Sequence, residues 1–294
     1  MRNILIAIAS IVTIYFIATS LFVEKSIRVV SPAPKFAQKN LRIVSLAPNL
    51  TEIIFHLERE NCLVGRSSAS KYFKEAKNIP IVGDFGIPSI EQLLLAKPDI
   101  VVATALKDPS IQEIIKKAGI KFHLLPTSSI DEYYKTVKTL GDILDANINA
   151  KQEILRIKNG LKKSLSQINK ISDAKRPKVF WEIWNPPLMT VGNQSFLNDF
   201  IYYAGGTNIA ASKNKGYFSV SEEWVLSCSP DIIIAPSMGK NKISQMKNQL
   251  GWKSTSAAKN NKISGYLDQN LVYLLGPRML DAIQVIHECI YLSN

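Results

Sequence analysis

The stretch Ser89-Ile90-Glu91-Gln92-Leu93-Leu94-Leu95-Ala96-Lys97-Pro98-Asp99-Ile100-Val101-Val102-Ala103 returns 132 residues later as Ser221-Glu222-Glu223-Trp224-Val225-Leu226-Ser227-Cys228-Ser229-Pro230-Asp231-Ile232-Ile233-Ile234-Ala235. Serine, glutamate, proline, aspartate, isoleucine and alanine recur at matching places. Each copy opens with a serine suited to cap a helix and continues through residues of helical character. Each then breaks at Pro-Asp and ends in a short apolar run of strand formers. The repeat predicts two similar α/β lobes with a cleft. It also gives each lobe a glutamate two residues after a helix cap, Glu91 and Glu223.

Outward from the repeat, strands alternate with helices. Strands are expected at Arg42–Ala47, Leu63–Arg66, Ile79–Val82, Ile100–Ala103 and Phe122–Leu125. Helices are expected from Pro48 to about Leu57, at Ile90–Ala96 and at Pro109–Ala118. This alternation argues for a mainly parallel sheet covered on both faces. Residues 130–145 and 148–171 then read as two helices, the second with Ile154, Leu155, Leu161, Leu165 and Ile168 at helical spacing. At ~1.5 Å per residue it spans about 36 Å, the length of a rigid strut between lobes. Beyond it come strands at Lys178–Ile183, Ile232–Ala235 and Val272–Leu275. Helices follow at Phe196–Tyr203 and Glu222–Leu226, and a final one opens at Gly276-Pro277-Arg278. The expected organisation is therefore 1–23 signal peptide or membrane anchor, 24–40 linker, 41–145 first α/β lobe, 146–174 connecting helix and 175–294 second α/β lobe.

Ile4–Val23 is an uncharged apolar run behind Arg2, long enough to cross a bilayer, and Ala18-Thr19-Ser20 is a poor cleavage site. Export is expected, with cleaved signal and retained anchor both open. The nearest cysteine is Cys62, so a lipid-bearing N-terminal cysteine is not expected. The 294 residues carry a net charge of +12, of which residues 1–40 contribute +4. The lysines are scattered, without the basic and aromatic stripe of a nucleic-acid surface. Three cysteines leave at least one unpaired; Cys228 and Cys289 either bridge or remain buried thiols.

No catalytic constellation is legible. His56, His123 and His287 lack metal-ligand spacing, and there is no Walker loop, nucleophile elbow or GxGxxG after a strand. Ligand-facing loops are sought at Ala47-Pro48-Asn49, Gly83-Asp84-Phe85-Gly86 and Asn185-Pro186-Pro187, because open α/β sheets bind ligands at strand ends. Aromatics gather near such lobe edges: Tyr72, Phe73, Phe85, Trp184, Tyr217 and Phe218. The paired glutamates suit two cationic pockets on a symmetric partner.

These residues resemble the periplasmic substrate-binding proteins of ABC importers for cobalamin and ferric siderophores. The resemblance covers about residues 41–292. It rests on Arg42 to Glu52, Ser89 to Ala103, Pro186-Pro187 through Gly192, Ala204 to Ile209, Val220 to Pro230 and Gly276-Pro277-Arg278. It implies two Rossmann-like lobes joined by a single long helix. It further implies that Glu91 and Glu223 pair with permease arginines, and that Pro48 and Asn49 touch a cobalamin-like ligand beside Phe85 and Tyr217. Ala69 and Phe73 depart from the cobalamin branch, and that branch's second-lobe disulfide falls on Ala204 and His287.

The reading is thus a monomeric, non-enzymatic carrier in the periplasm, tethered to the inner membrane if its N-terminal helix is kept. It captures a corrinoid, or alternatively a ferric siderophore or haem, with no cofactor of its own and no nucleic-acid partner. Tyr72 and Trp184 complete the expected ligand set. The partner is an ABC permease dimer with its ATPase subunits. A scaffold that has lost its ligand and a two-lobed transferase are the rival classes.

Overall fold

The structure, a computed structural model, describes residues 41–172, 175–236, 238 and 240–292. The expected signal or anchor and the linker, residues 1–40, lie outside the described residues. Among those described, no helix is long and apolar enough to cross a membrane.

Strand β1 (Ile43–Ser45) is buried on both faces, and α1 (Pro48–His56) starts directly after it with proline in the first turn, where a missing N–H costs nothing. Then come β2 (Leu63–Arg66), a 3-10 turn at Ser68–Tyr72, the hairpin β3 (Gly83–Asp84) and β4 (Ile87–Pro88), α2 (Ile90–Leu95), β5 (Ile100–Ala103), α3 (Ser110–Lys117) and β6 (Lys121–Leu124). They build a parallel sheet in the order β2-β1-β5-β6. Helices α4 (Ile130–Ile143) and α5 (Asn147–Ile168) lead to the second half. That half comprises β7 (Lys178–Trp181), β8 (Met189–Val191), α6 (Phe196–Tyr203), β9 (Thr207–Asn208), β10 (Tyr217–Ser219) and α7 (Glu222–Cys228). It continues with β11 (Ile232–Ile234), α8 (Lys240–Asn248), α9 (Ser256–Lys259), β12 (Ile263–Ser264), α10 (Gln269–Val272) and α11 (Met279–Tyr291). Its parallel sheet runs β12-β11-β7-β9, while β8 and β10 form a separate antiparallel pair. The fold is α/β with two lobes, as the repeat predicts.

The two sheets are built alike. In each, the repeat strand (β5, β11) lies beside the first strand of its lobe (β1, β7). The likeness extends to single atoms. Ser89 Oγ accepts the Gln92 N–H and Ser221 Oγ the Trp224 N–H, each satisfying an orphan donor of the first helical turn. Both helices end in a left-handed residue, Lys97 at φ 44° and Ser229 at φ 47°. Asp99 and Asp231 each accept the backbone N–H at the start of the neighbouring strand, from Arg42 and Lys178, at 2.9 Å. Those two cations cap the helix C-termini: Arg42 donates to the Ala96 and Lys97 carbonyls, and Lys178 to that of Cys228.

Two expected strands are absent. Ile79–Val82 makes a single bridge, Ile81 to Arg66, because Pro80 has no N–H to extend the ladder. Val272–Leu275 is not extended. Asp268 caps the one-turn α10 by accepting the Asn270 N–H, and Val272 and Leu275, three residues apart, are buried together as on a helical turn. Cys228 and Cys289 do not pair: all three cysteines are free, and Cys289 Sγ lies 3.5 Å from Ser264 Oγ.

Helix α5 is not a bare strut. One face, with Ala150, Ile157, Leu161 and Ile168, is buried, and α5 packs on α4, α6 and α11. A single apolar core therefore runs from Ile43 and Ile53 of the first lobe through Ile157 and Leu161 to Trp181, Phe200 and Ile286 of the second.

Candidate functional site

The carboxyl ends of the first sheet's strands open into a cavity of about 370 Å³. Pro48 and Asn49 reach it from the first turn of α1, just after β1, Ala69 and Tyr72 from the segment after β2, and Thr104 and Thr127 from those after β5 and β6. The second half closes it with Phe196, Gln269, Asn270 and Tyr273 to Leu275, and Phe85 stands at its edge, 49% exposed. Parallel strands end together, so residues scattered over 80 positions meet at one rim.

Four of the six expected ligand residues, Pro48, Asn49, Tyr72 and Phe85, share this cavity. Trp184 does not: its indole N–H donates to the Pro186 carbonyl at 2.7 Å, and its ring lines a second cavity of about 480 Å³ with Glu182, Met246 and Trp252. Tyr217 stands on β10, 51% exposed, and its phenol acts electrostatically on Tyr273. Phe73 packs edge-on against Phe55 at 5.0 Å, an intramolecular use. Asn49 is 5% exposed, and its amide is engaged within the protein. Its Nδ2 donates to Thr127 Oγ1 and to the Leu275 carbonyl, and its Oδ1 accepts the Leu50 N–H. It therefore ties the two halves of the cavity wall together.

Beneath the cavity lies a polar floor that the sequence reading missed. Glu52, with a side chain 3% exposed on α1, accepts the Tyr72 hydroxyl at 2.8 Å and the Arg278 guanidinium at 2.7 Å. Arg278 lies 5.4 Å from the Tyr72 ring centroid. A second carboxylate repeats the pattern: Glu153 of α5 accepts the Tyr133 hydroxyl at 2.6 Å and Arg156 at 2.7 and 2.9 Å. Arg156 also donates to the Pro277 carbonyl at 2.5 Å. Pro277 and Arg278 are thus pinned from the connecting helix and from the first lobe. Burial, then the Glu52 carboxylate, drives the Tyr72 pKa far above the usual phenol value; burial and Glu153 do the same to Tyr133. The available signal was a carboxylate set among Leu50, Ile53 and Ile54, a place where a polar group needs partners.

Tyr273 is the other cavity phenol. Burial, with the Glu182 carboxylate and Tyr217 adding to it, pushes its pKa up to about 12. Its ring meets Trp181 edge-on at 6.3 Å, and the Trp181 indole N–H acts against that shift.

Glu91 and Glu223 are both exposed at the first turns of α2 and α7. A backbone N–H and the Ser221 hydroxyl hold the Glu223 carboxyl below its ordinary range. Among the described residues, no group of three His, Cys, Asp or Glu side chains is placed to hold a metal ion.

Residues 43–269 match the model of the family described as periplasmic binding protein. One relative, an uncharacterized ABC transporter substrate-binding lipoprotein of Bacillus subtilis, YvrC, is 29% identical over 82% of this chain and 77% of its own length. The vitamin B12-binding protein of Vibrio parahaemolyticus is 23% identical, over 92% and 91%. The high-affinity heme uptake system protein IsdE of Staphylococcus aureus is 26% identical, over 68% and 71%. Among solved structures, an ABC transporter substrate-binding protein from Listeria monocytogenes superposes with a TM-score of 0.75 at 25% identity, covering 87% of this chain and 100% of that one.

Proposed function

The chain belongs to the periplasmic binding protein family, as a substrate-binding component of an ABC importer and not an enzyme, and from that premise we propose that its cargo is a corrinoid. One observation carries this reading. The cleft cavity is walled by the rings of Tyr72, Phe85, Phe196 and Tyr273, by amides and by threonine hydroxyls, and none of its described lining residues is Asp, Glu, Lys, Arg or His. A corrinoid is a flat macrocycle with a rim of neutral amides, which match rings and amide or hydroxyl partners. Haem carries two carboxylates and a ferric catecholate several negative charges, and both call for cationic partners at the cavity. An intact corrinoid exceeds 370 Å³, so in this reading part of it extends beyond the cavity.

A ferric ligand is the second reading, favoured by one phenol on each side of the cavity and by the haem-uptake relative. Against it, both phenols have raised pKa values, whereas ferric iron takes the phenolate. Calorimetry of the full chain against cobalamin, haem and ferric siderophores decides between them: cobalamin should bind tightest, and preferential haem binding overturns the proposal. Glu91 and Glu223 are the docking tips in this reading, delivering loaded protein to the permease at the periplasmic face of the inner membrane.

A further inference from the structure

The polar lining of the cleft cavity divides into groups that the protein itself engages and groups that it leaves open. Asn49 is fully engaged: its amide hydrogens go to Thr127 and to the Leu275 carbonyl, and its oxygen accepts the Leu50 N–H. Tyr72 gives its hydroxyl proton to Glu52. Neither keeps a donor for cargo, although both stand in the wall.

Four other lining residues do keep hydrogen-bonding capacity. Thr127 Oγ1 accepts from Asn49 Nδ2 at 2.6 Å, and its own hydrogen meets no acceptor among the described residues. The half-buried Thr104 hydroxyl has no hydrogen-bond partner among the described residues. On the opposite wall, Gln269 Nε2 donates to the Pro236 carbonyl at 3.0 Å, and Asn270 Nδ2 donates to the Asp268 carboxylate at 3.2 Å. Those two anchors only accept, so they fix which end of each amide they hold. Each amide then retains one N–H and its carbonyl oxygen.

The first lobe thus presents hydroxyl hydrogens, and the second half presents pairs of one donor and one acceptor. A primary amide has a carbonyl oxygen and two N–H bonds, so it satisfies both kinds of group. A carboxylate only accepts. It sets oxygen against the Gln269 and Asn270 carbonyls and leaves them without a donor as cargo displaces water. Sites built from hydrogen bonds reject a mismatched group more sharply than apolar sites do. We propose that Thr104, Thr127, Gln269 and Asn270 set the specificity of the cleft, selecting cargo with primary amides on its rim and rejecting the corresponding carboxylic acid. This deepens the corrinoid reading and rests on it, since a corrinoid carries such amides.

Calorimetry of the full chain at neutral pH tests it, with cobalamin and with the cobalamin monoacids in which a single propionamide is hydrolysed. Cobalamin should bind, and at least one monoacid should bind about tenfold more weakly. Thr104→Val keeps the shape and loses the hydroxyl. It should weaken cobalamin binding about fivefold without lowering the urea midpoint, and Thr104→Ser should recover part of that loss. Monoacids that all match cobalamin, or a Thr104→Val variant that binds cobalamin as tightly as the unsubstituted chain, overturn the inference and leave the corrinoid reading standing. No binding of cobalamin at all overturns both.

Discussion

Glu52 sits in the helical turn of Leu50, Ile53 and Ile54, all fully buried, and its carboxyl group is engaged there by Tyr72 and Arg278. Removing one member of a buried pair leaves the other desolvated, so Glu52→Gln should cost about 2–4 kcal/mol in urea unfolding, less than a fully buried pair because Arg278 is partly exposed. Tyr273 gives a pH signature. Its folded pKa is raised to about 12 from 10, so the stability it contributes is complete below pH 10 and is lost as pH climbs towards 12, where the unfolded phenol ionises first. Tyr273→Phe should flatten the alkaline fall in stability over that window by at most about 2 kcal/mol, read from urea midpoints at pH 9, 10 and 11. Four residues chosen from loop chemistry, Pro48, Asn49, Tyr72 and Phe85, do share one cavity, because loops after parallel strands end at one rim. Tyr273 was not legible: Val-Tyr-Leu-Leu has the composition of a strand, and only the Asp268 cap turns it into a helical turn.

At the scale of elements, the repeat was readable down to the caps because each of its residues has a local job. Serine accepts an N–H, proline stops the helix, and aspartate fastens the next strand. What remained hidden was the left-handed residue at each helix end, since neither Lys97 nor Ser229 has the glycine that normally marks that conformation. A left-handed L-residue costs roughly 1–2 kcal/mol, and glycine gives part of that back as chain entropy. Lys97→Gly and Ser229→Gly should therefore each raise stability by roughly 0.5 kcal/mol in thermal unfolding, without changing cargo affinity. A loss at either position would mean that the side chain does more than tolerate its backbone.

At the scale of the whole molecule, the sequence suggested separate halves on a rod, and periodicity alone could not reveal that α5 is buried along one face. Because one core crosses both lobes, calorimetric unfolding should show a single transition, and scattering with and without cargo should show little change in radius. Two resolved transitions would mean that the lobes fold independently. Docking belongs to this scale as well: Glu91→Ala combined with Glu223→Ala should abolish uptake while calorimetric cargo affinity stays intact, and lost affinity would assign the pair another role.

The shared strand order of the two sheets has a consequence for encounter statistics. A carrier whose halves are interchangeable offers a homodimeric channel two equivalent ways of landing, half a turn apart. That degeneracy is worth about 0.4 kcal/mol, a factor of two in productive collisions. If Glu91 and Glu223 are the docking tips, differences beside them would lift it and set a preferred heading: Gln92 and Leu95 of one half stand where the other has Trp224 and Ser227.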